Sequence, residues 1–316
     1  MKGLDFTGRV VVITGAGGGL GREYALEIAR RGGAVVVNDN GGDHRGDNPG
    51  PEMADSVTAE ITSAGGKAIA NYEDVGDRDG AFRIAEQAIS EFGRIDALIN
   101  NAGNLRNAWF EDFTPEDRDA VIRTHLFGSY NVTQAVWPHM KKAGYGRVVF
   151  ASSGAGMFGN QMQSAYGAAK AGLTGLMNVL AQEGKPHGIL CNALLPNAES
   201  RMGAEMDPAE MAPIAPYFPL FEGSVTPPFI MAMVVYMCSE ACQTTHDLYS
   251  VMAGRIARGF IGVTEGWLGP RDVPPTVEQV AEHIGEIRDV SRGIHIPSGL
   301  MDEFRIVAEQ IKASKD

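Results

Sequence analysis

The chain has 316 residues, 44% apolar and 21% charged, which suits one large or two small packed domains and excludes a disordered chain. A net charge of −12 argues against a nucleic-acid binder, which shows a basic patch. Three cysteines, Cys191, Cys238 and Cys242, make neither a disulfide framework nor a metal-ligand quartet, so reduced thiols and no metal are expected.

The first strand is expected at residues 10–14, followed by a glycine turn and a helix over 20–31. A second strand, 34–39, leads into a polar, Gly-rich loop from Asn40 to Pro51 and a helix over 52–64. Strand 67–72, helix 80–92 and strand 95–100 come next. One long helix is expected over 115–143, with a possible break at Pro138, then strand 147–151 and a helix carrying Tyr166 and Lys170. Strand 189–195 follows, then a Met- and Pro-rich stretch, a buried helix over 229–238 and a last strand at 249–252. Two tail helices are expected at 276–290 and 298–314. Strand and helix alternate throughout, which implies an α/β fold, a Rossmann-type doubly wound parallel sheet with helices on both faces. The domain reading is one large domain over 1–270 and a C-terminal helical extension over 271–316. The N-terminal five residues lack the apolar stretch of a signal peptide. The apolar run 229–238 is too short to span a bilayer. A cytoplasmic protein without a membrane span is therefore expected.

Thr14-Gly15-Ala16-Gly17-Gly18-Gly19-Leu20-Gly21 sits between the first strand and the first helix. Glycine lets backbone approach a phosphate, and the helix N-terminus supplies N–H groups and a positive dipole. Gly15, Gly19, Leu20 and Gly21 are thus candidate cofactor contacts. Asp39 ends the second strand, where a carboxylate accepts hydrogen bonds from ribose hydroxyls and repels a 2′-phosphate, which favours NAD over NADP. Arg22 and Arg45 are the cations that could attract that phosphate instead. Asp74 and Val75 follow the third strand; Asp74 suits an adenine edge or a plain helix N-cap. Asn100-Asn101-Ala102-Gly103 follows the fourth strand, as scaffold or as contact.

Ser153 ends an apolar strand, thirteen residues before Tyr166, and Lys170 follows Tyr166 by four, on the same helix face. A hydroxyl, a phenol and an amine can then meet one reacting carbonyl. An ammonium beside a phenol favours phenolate and makes it a usable acid and base.

In order and spacing, Thr14-Gly15-x-x-x-Gly19-x-Gly21, Asp39, Asn100 to Gly103, Ser153, Tyr166 and Lys170 resemble the short-chain dehydrogenases/reductases over about residues 5–200. The resemblance implies that Ser153 orients the substrate oxygen and that Tyr166 exchanges its proton. It implies that Lys170 lowers the Tyr166 pKa and binds the nicotinamide ribose, with Tyr166 also at the cofactor. The family's usual Asn in the long central helix is His125 here, read either as a core histidine or as part of a proton relay. Its usual Pro-Gly after the sixth strand is Pro196-Asn197, with Asn197 and Ser200 as the candidates there. A narrower resemblance rests on segments 37–43, 125–129, 139–147 and 196–202. They are similar to the dehydrogenase part of peroxisomal multifunctional enzymes of type 2, also called 17β-hydroxysteroid dehydrogenase type 4.

That resemblance implies NAD-dependent oxidation of a (3R)-hydroxyacyl-CoA to the 3-oxoacyl-CoA, with a fatty or steroid side chain, by a stand-alone dehydrogenase. The alternatives are a hydroxysteroid dehydrogenase, an NADPH-dependent 3-oxoacyl thioester reductase and a non-enzymatic nucleotide sensor. Met202, Met206 and Met211 are expected at the substrate, and Met231, Met233 and Met237 at the substrate or in the core. Arg106 is the candidate cation for the CoA end. By the same resemblance the chain forms a homodimer or homotetramer.

Overall fold

The computed structural model describes residues 4–198 and 215–314. The chain divides into two compact units, Met1–Arg258 and Gly259–Asp316. The first is built on strands β1 (Val10–Thr14), β2 (Ala34–Asn38), β3 (Lys67–Asn71), β4 (Ala97–Asn100), β5 (Gly146–Ala151), β6 (Ile189–Asn197), β7 (Leu248–Met252) and β8 (Arg255–Gly259). They form one sheet in the order β3-β2-β1-β4-β5-β6-β7-β8, and each neighbouring pair from β3 to β7 is parallel. The order reverses between β1 and β4, which opens a crevice at the C-terminal strand ends.

Its helices are α1 (Gly19–Arg30), α2 (Glu52–Ser63), α3 (Arg78–Phe92), α4 (Pro115–Ile122), α5 (Gly128–Ala143), α6 (Gly154–Phe158), α7 (Ser164–Gly184) and α8 (Pro228–Cys238). All five residues of β1 are buried, because both sheet faces are covered. Val11 and Ile13 join Tyr24 and Ile28 of α1 and Val234 of α8 in one core. Val12 points the other way, into a second core with Ile84 of α3, Val136 of α5 and Leu173 of α7. Met233 and Met237 are buried in the first core and Met231 packs against it, so these three fill the interior. Met202, Met206, Met211 and Ser200 lie outside the described residues.

Three elements differ from the sequence reading. The helix expected over 115–143 is interrupted, but not at Pro138, which sits inside an unbroken α5. The interruption is a π-turn, Arg123–Phe127, between α4 and α5. One turn widened by an extra residue carries His125 inward; such turns are rare and concentrate at functional sites. Strand β8 extends the sheet past the expected last strand. Ala253 and Gly254 link it to β7 with φ of +49° and +81°, the left-handed pair that joins hairpin strands. Its Arg-Ile-Ala-Arg-Gly sequence hides the apolar signal, as suits a charged sheet edge.

The second unit contains more than helices. Strands β9 (Val263–Thr264) and β10 (Ile294–His295) pair antiparallel and accompany α9 (Val277–Ile287) and α10 (Leu300–Ala313). Thr276 begins α9 with a reciprocal capping box to Gln279. Thr264 Oγ1 donates to the Ile287 carbonyl at 2.6 Å, and Gln310 Nε2 to that of Glu265 at 2.8 Å. The units divide at 258/259, and β9 and β10 both lie in the second. Among the described residues no helix is long and apolar enough to cross a membrane.

Candidate active site

The glycine turn leaves β1 with Gly15 at φ +64° and enters α1 through Gly19 at φ +51°. A side chain on Gly15 would stand 2.7 Å from the Ala102 backbone, so only glycine lets the β1 and β4 ends approach this closely. Around Gly19 the space is open, and Gly15, Gly19 and Leu20 line a cavity of about 330 Å³. An N-terminal helix end facing open space fits a pyrophosphate. Gly21 does not line the cavity. Its missing Cβ would press on the Gly15 carbonyl and stand 2.8 Å from Asn101 Nδ2, so it packs α1 onto the strand ends.

Asp39 lines the cavity at the end of β2. Its Oδ2 accepts from the Gly17 N–H and its Oδ1 from the Gly41 N–H, both at 2.8 Å. Each oxygen keeps a lone pair for a ribose hydroxyl. Arg22 is turned away, paired with Glu60 at 2.7 Å and with Glu23 at 2.8 Å. Asp74 accepts from the Gly76 N–H at 2.8 Å and pairs with Arg123 at 2.7 Å. It caps no helix: Asp77 is the N-cap of α3. Asp74 and Val75 line the cavity beside it. Asn101 proves to be scaffold as well as wall. Its Nδ2 donates to the Gly15 carbonyl at 3.0 Å and to that of Thr14 at 3.2 Å, locking β4 to the turn. Ala102 and Gly103 continue the lining.

Arg106 corrects an expectation. Its guanidinium is bound to Asp117 at 2.7 Å, to Asp47 at 3.2 Å and to the Arg45 carbonyl at 3.0 Å. It lines the same cavity as the glycine turn and is not a free cation waiting for CoA. The structure also adds wall residues that composition and spacing missed: Asn104 and Thr124, joined at 3.1 Å, and the loop residues Asp43 and Asp47. The one signal for the latter was the length of the polar loop after Asp39.

Ser153 follows β5 and caps the short helix α6, its Oγ accepting from the Ala155 N–H at 3.2 Å. Its hydroxyl also faces Tyr166 of α7 closely enough to draw that phenol's pKa down. Ser152 points away into the core, donating to the Lys170 carbonyl at 2.7 Å. Lys170 Nζ lies 5.4 Å from the centre of the Tyr166 ring and donates to the Ala151 carbonyl at 2.5 Å. The three expected residues therefore converge at the end of β5. The expected direction of the Tyr166 shift is not met. Burial pushes the phenol above its ordinary value and outweighs the Ser153 hydroxyl. Burial also brings Lys170 down to about 7, so the enclosed amine is a weakly held cation.

His125 joins the two halves of the site. Its ring meets the Tyr166 ring edge to face, with centroids 5.1 Å apart. Its Nε2 lies 2.7 Å from the Asn104 carbonyl oxygen and 3.2 Å from the Asn104 nitrogen. Burial first, and the Lys170 charge second, hold it far below its usual value, so it is neutral. Nδ1 is buried without a hydrogen-bond partner among the described residues. Gly103 leaves room for this ring, since a Cβ there would stand 2.8 Å from Nδ1. The cavity wall thus reaches the reacting phenol through Gly103 and His125. Among the described residues no three acidic, His or Cys side chains gather as metal ligands.

Comparison with known proteins agrees with this geometry. The family model described as short chain dehydrogenase matches residues 9–210. A Mycobacterium tuberculosis protein named as a short-chain type dehydrogenase/reductase is 45% identical over 283 residues, covering 90% of this chain and 95% of that one. Mouse peroxisomal multifunctional enzyme type 2 is 43% identical over 289 residues, which is 91% of this chain but 38% of the mouse protein. The structure of full-length peroxisomal multifunctional enzyme type 2 from Drosophila melanogaster superposes with a TM-score of 0.77 at 34% identity. That match covers 98% of this chain and 50% of the fly chain. The chain thus spans half or less of these multifunctional proteins. The matched residues 9–210 include the glycine turn and the end of β5, and the chain belongs to the short-chain dehydrogenase family.

Proposed function

We propose that the protein oxidises a (3R)-hydroxyacyl-CoA to its 3-oxoacyl-CoA with NAD, on a fatty or steroid side chain. The carrying observation is the convergence of Ser153, Tyr166 and Lys170 at the end of β5, next to the glycine-lined cavity. Ser153 holds the substrate oxygen by a hydrogen bond, and Tyr166 exchanges a proton with it. Lys170, through its fixed place beside the Tyr166 ring, supports the phenolate as charge develops. A bound nicotinamide would supply the hydride acceptor for the carbinol carbon. Asp39 supports NAD over NADP, because a 2′-phosphate would meet its carboxylate, while Arg22, Arg45, Arg106 and Arg123 are all tied to carboxylates. The thioester comes from the likeness to the multifunctional enzymes; a cytoplasmic homo-oligomer is part of the same proposal. Exposed Tyr130 of α5 and Val179 of α7 offer a face for a second copy.

Steady-state kinetics with NAD and NADP test the reading on a chain-length series of (3R)-hydroxyacyl-CoA substrates, each paired with its free hydroxy acid. kcat/KM should be higher with NAD and should rise with chain length until the pocket is full, since each buried CH₂ contributes about 0.8 kcal/mol. Tyr166→Phe should lower kcat by about 10²–10⁴-fold, the usual worth of general acid–base catalysis. Free acids turned over as well as the thioesters would remove the acyl-CoA assignment. A preference for NADP would remove the role given to Asp39.

A further inference from the structure

The twelve-residue loop Asn40 to Pro51 forms one wall of the cofactor cavity through Asn40, Gly42, Asp43, His44, Gly46 and Asp47. The loop is closed on itself. Asp43 Oδ1 accepts from the Arg45 N–H at 2.8 Å and the Asp47 N–H at 3.1 Å, and the Gly50 N–H donates to the Asn40 carbonyl at 2.8 Å. It is also tied to what lies across the cavity. The Leu105 N–H donates to the His44 carbonyl at 2.9 Å. Arg106 then binds the Arg45 carbonyl and Asp47 on the loop and Asp117 on α4, with only 15% of its side chain exposed. Arg45 reaches the same Asp117 oxygen at 3.1 Å. Thr114 caps α4 and accepts from the Asp117 N–H at 3.1 Å, so the anchor stands on a fixed helix end.

We propose that Arg106 is a positioning residue for the dinucleotide. It straps the 40–51 loop to α4, so that the adenosine-side wall is already built when the cofactor arrives. Its guanidinium works on the loop, not on a phosphate. A loop ordered beforehand need not be ordered on binding, and the saved conformational entropy appears as affinity. The inference rests on reading the cavity as the dinucleotide site, and not on the identity of the alcohol substrate.

The test is NAD binding to the purified full chain by calorimetry, with amide hydrogen exchange of residues 40–51 in the same proteins. Arg106→Gln should raise the NAD Kd about tenfold, the size expected from a loop that must order on binding, and should speed exchange in 40–51. Arg106→Lys should recover part of both effects by keeping one ionic tie. Asp117→Ala is the deciding variant. It releases the guanidinium from α4, so a strap predicts weaker NAD binding, whereas an Arg106 that served a phosphate directly would bind NAD more tightly once freed. Exchange that rises across the whole sheet would mean general loss of fold and would overturn the positioning role. An unchanged Kd in Arg106→Gln, or a tighter one in Asp117→Ala, would also overturn it. A wild-type chain that bound neither NAD nor NADP would instead sink the cavity assignment, and the strap with it.

Discussion

Lys170 is enclosed, and its amine donates to the Ala151 carbonyl at 2.5 Å. Burial brings its pKa from 10.5 to about 7, so between those values the unfolded chain binds a proton that the folded chain sheds. The contribution of this residue to stability therefore rises with pH across that window and is lost as pH falls through about 7. Replacing Lys170 by Met removes the dependence. The Tm of Lys170→Met minus that of the wild type should accordingly shrink from pH 7 to pH 10 in thermal melts. A difference that stays level across the range would mean that the amine is solvated in the folded chain. That Ser153, Tyr166 and Lys170 would meet at the end of β5 was legible in the sequence because a strand end and an i, i+4 helix face are local properties. The sequence misjudged the electrostatics of the pair, because enclosure depends on α6, α7 and β5 together. His125 was visible as a departure from the family, but its contact with Tyr166 depends on a π-turn that leaves no local signature.

The joint of β1, the glycine turn and α1 is where backbone packing decides most. Gly21 lies in the first turn of α1 and supports the site without touching the cavity. Gly21→Ala would drive a methyl group against the Gly15 carbonyl and the Asn101 side chain, which is itself held by Thr14 and Gly15. Neither backbone nor a doubly bonded amide yields cheaply. We expect a loss of about 1–3 kcal/mol in chemical denaturation, the usual cost of overpacking, together with weaker NAD binding. A variant as stable as the wild type would show that α1 can shift at its N-terminus. The glycines were legible as a motif; that Gly15 and Gly19 face the cavity while Gly21 packs was not, because φ and close approach emerge only when β1 and β4 lie side by side.

At the scale of the whole molecule the two units differ sharply in what they bury. Both large cores belong to the first unit. In the second, Ile306 is the one buried apolar side chain among the described residues, whereas Val277, Ile284, Leu300 and Phe304 stand exposed. A module of this size with so small a core lacks the apolar burial needed to offset its chain entropy. The isolated fragment 259–316 should therefore give the circular dichroism of a largely unfolded peptide, and a cooperative melt from it would refute this. The sequence by itself determined the alternation of strand and helix, the parallel sheet, the glycine turn, Asp39 and the Ser153, Tyr166 and Lys170 set. Those are carried by apolar period, by turn chemistry and by spacing within single elements. Tertiary structure alone decided the β8 edge, the unit boundary before β9, the core role of Met233 and Met237, the neutral His125 against Tyr166 and the captive state of Arg106. Each of these depends on contacts between residues distant in the chain, where burial and charge pairing are set by neighbours that no local pattern names.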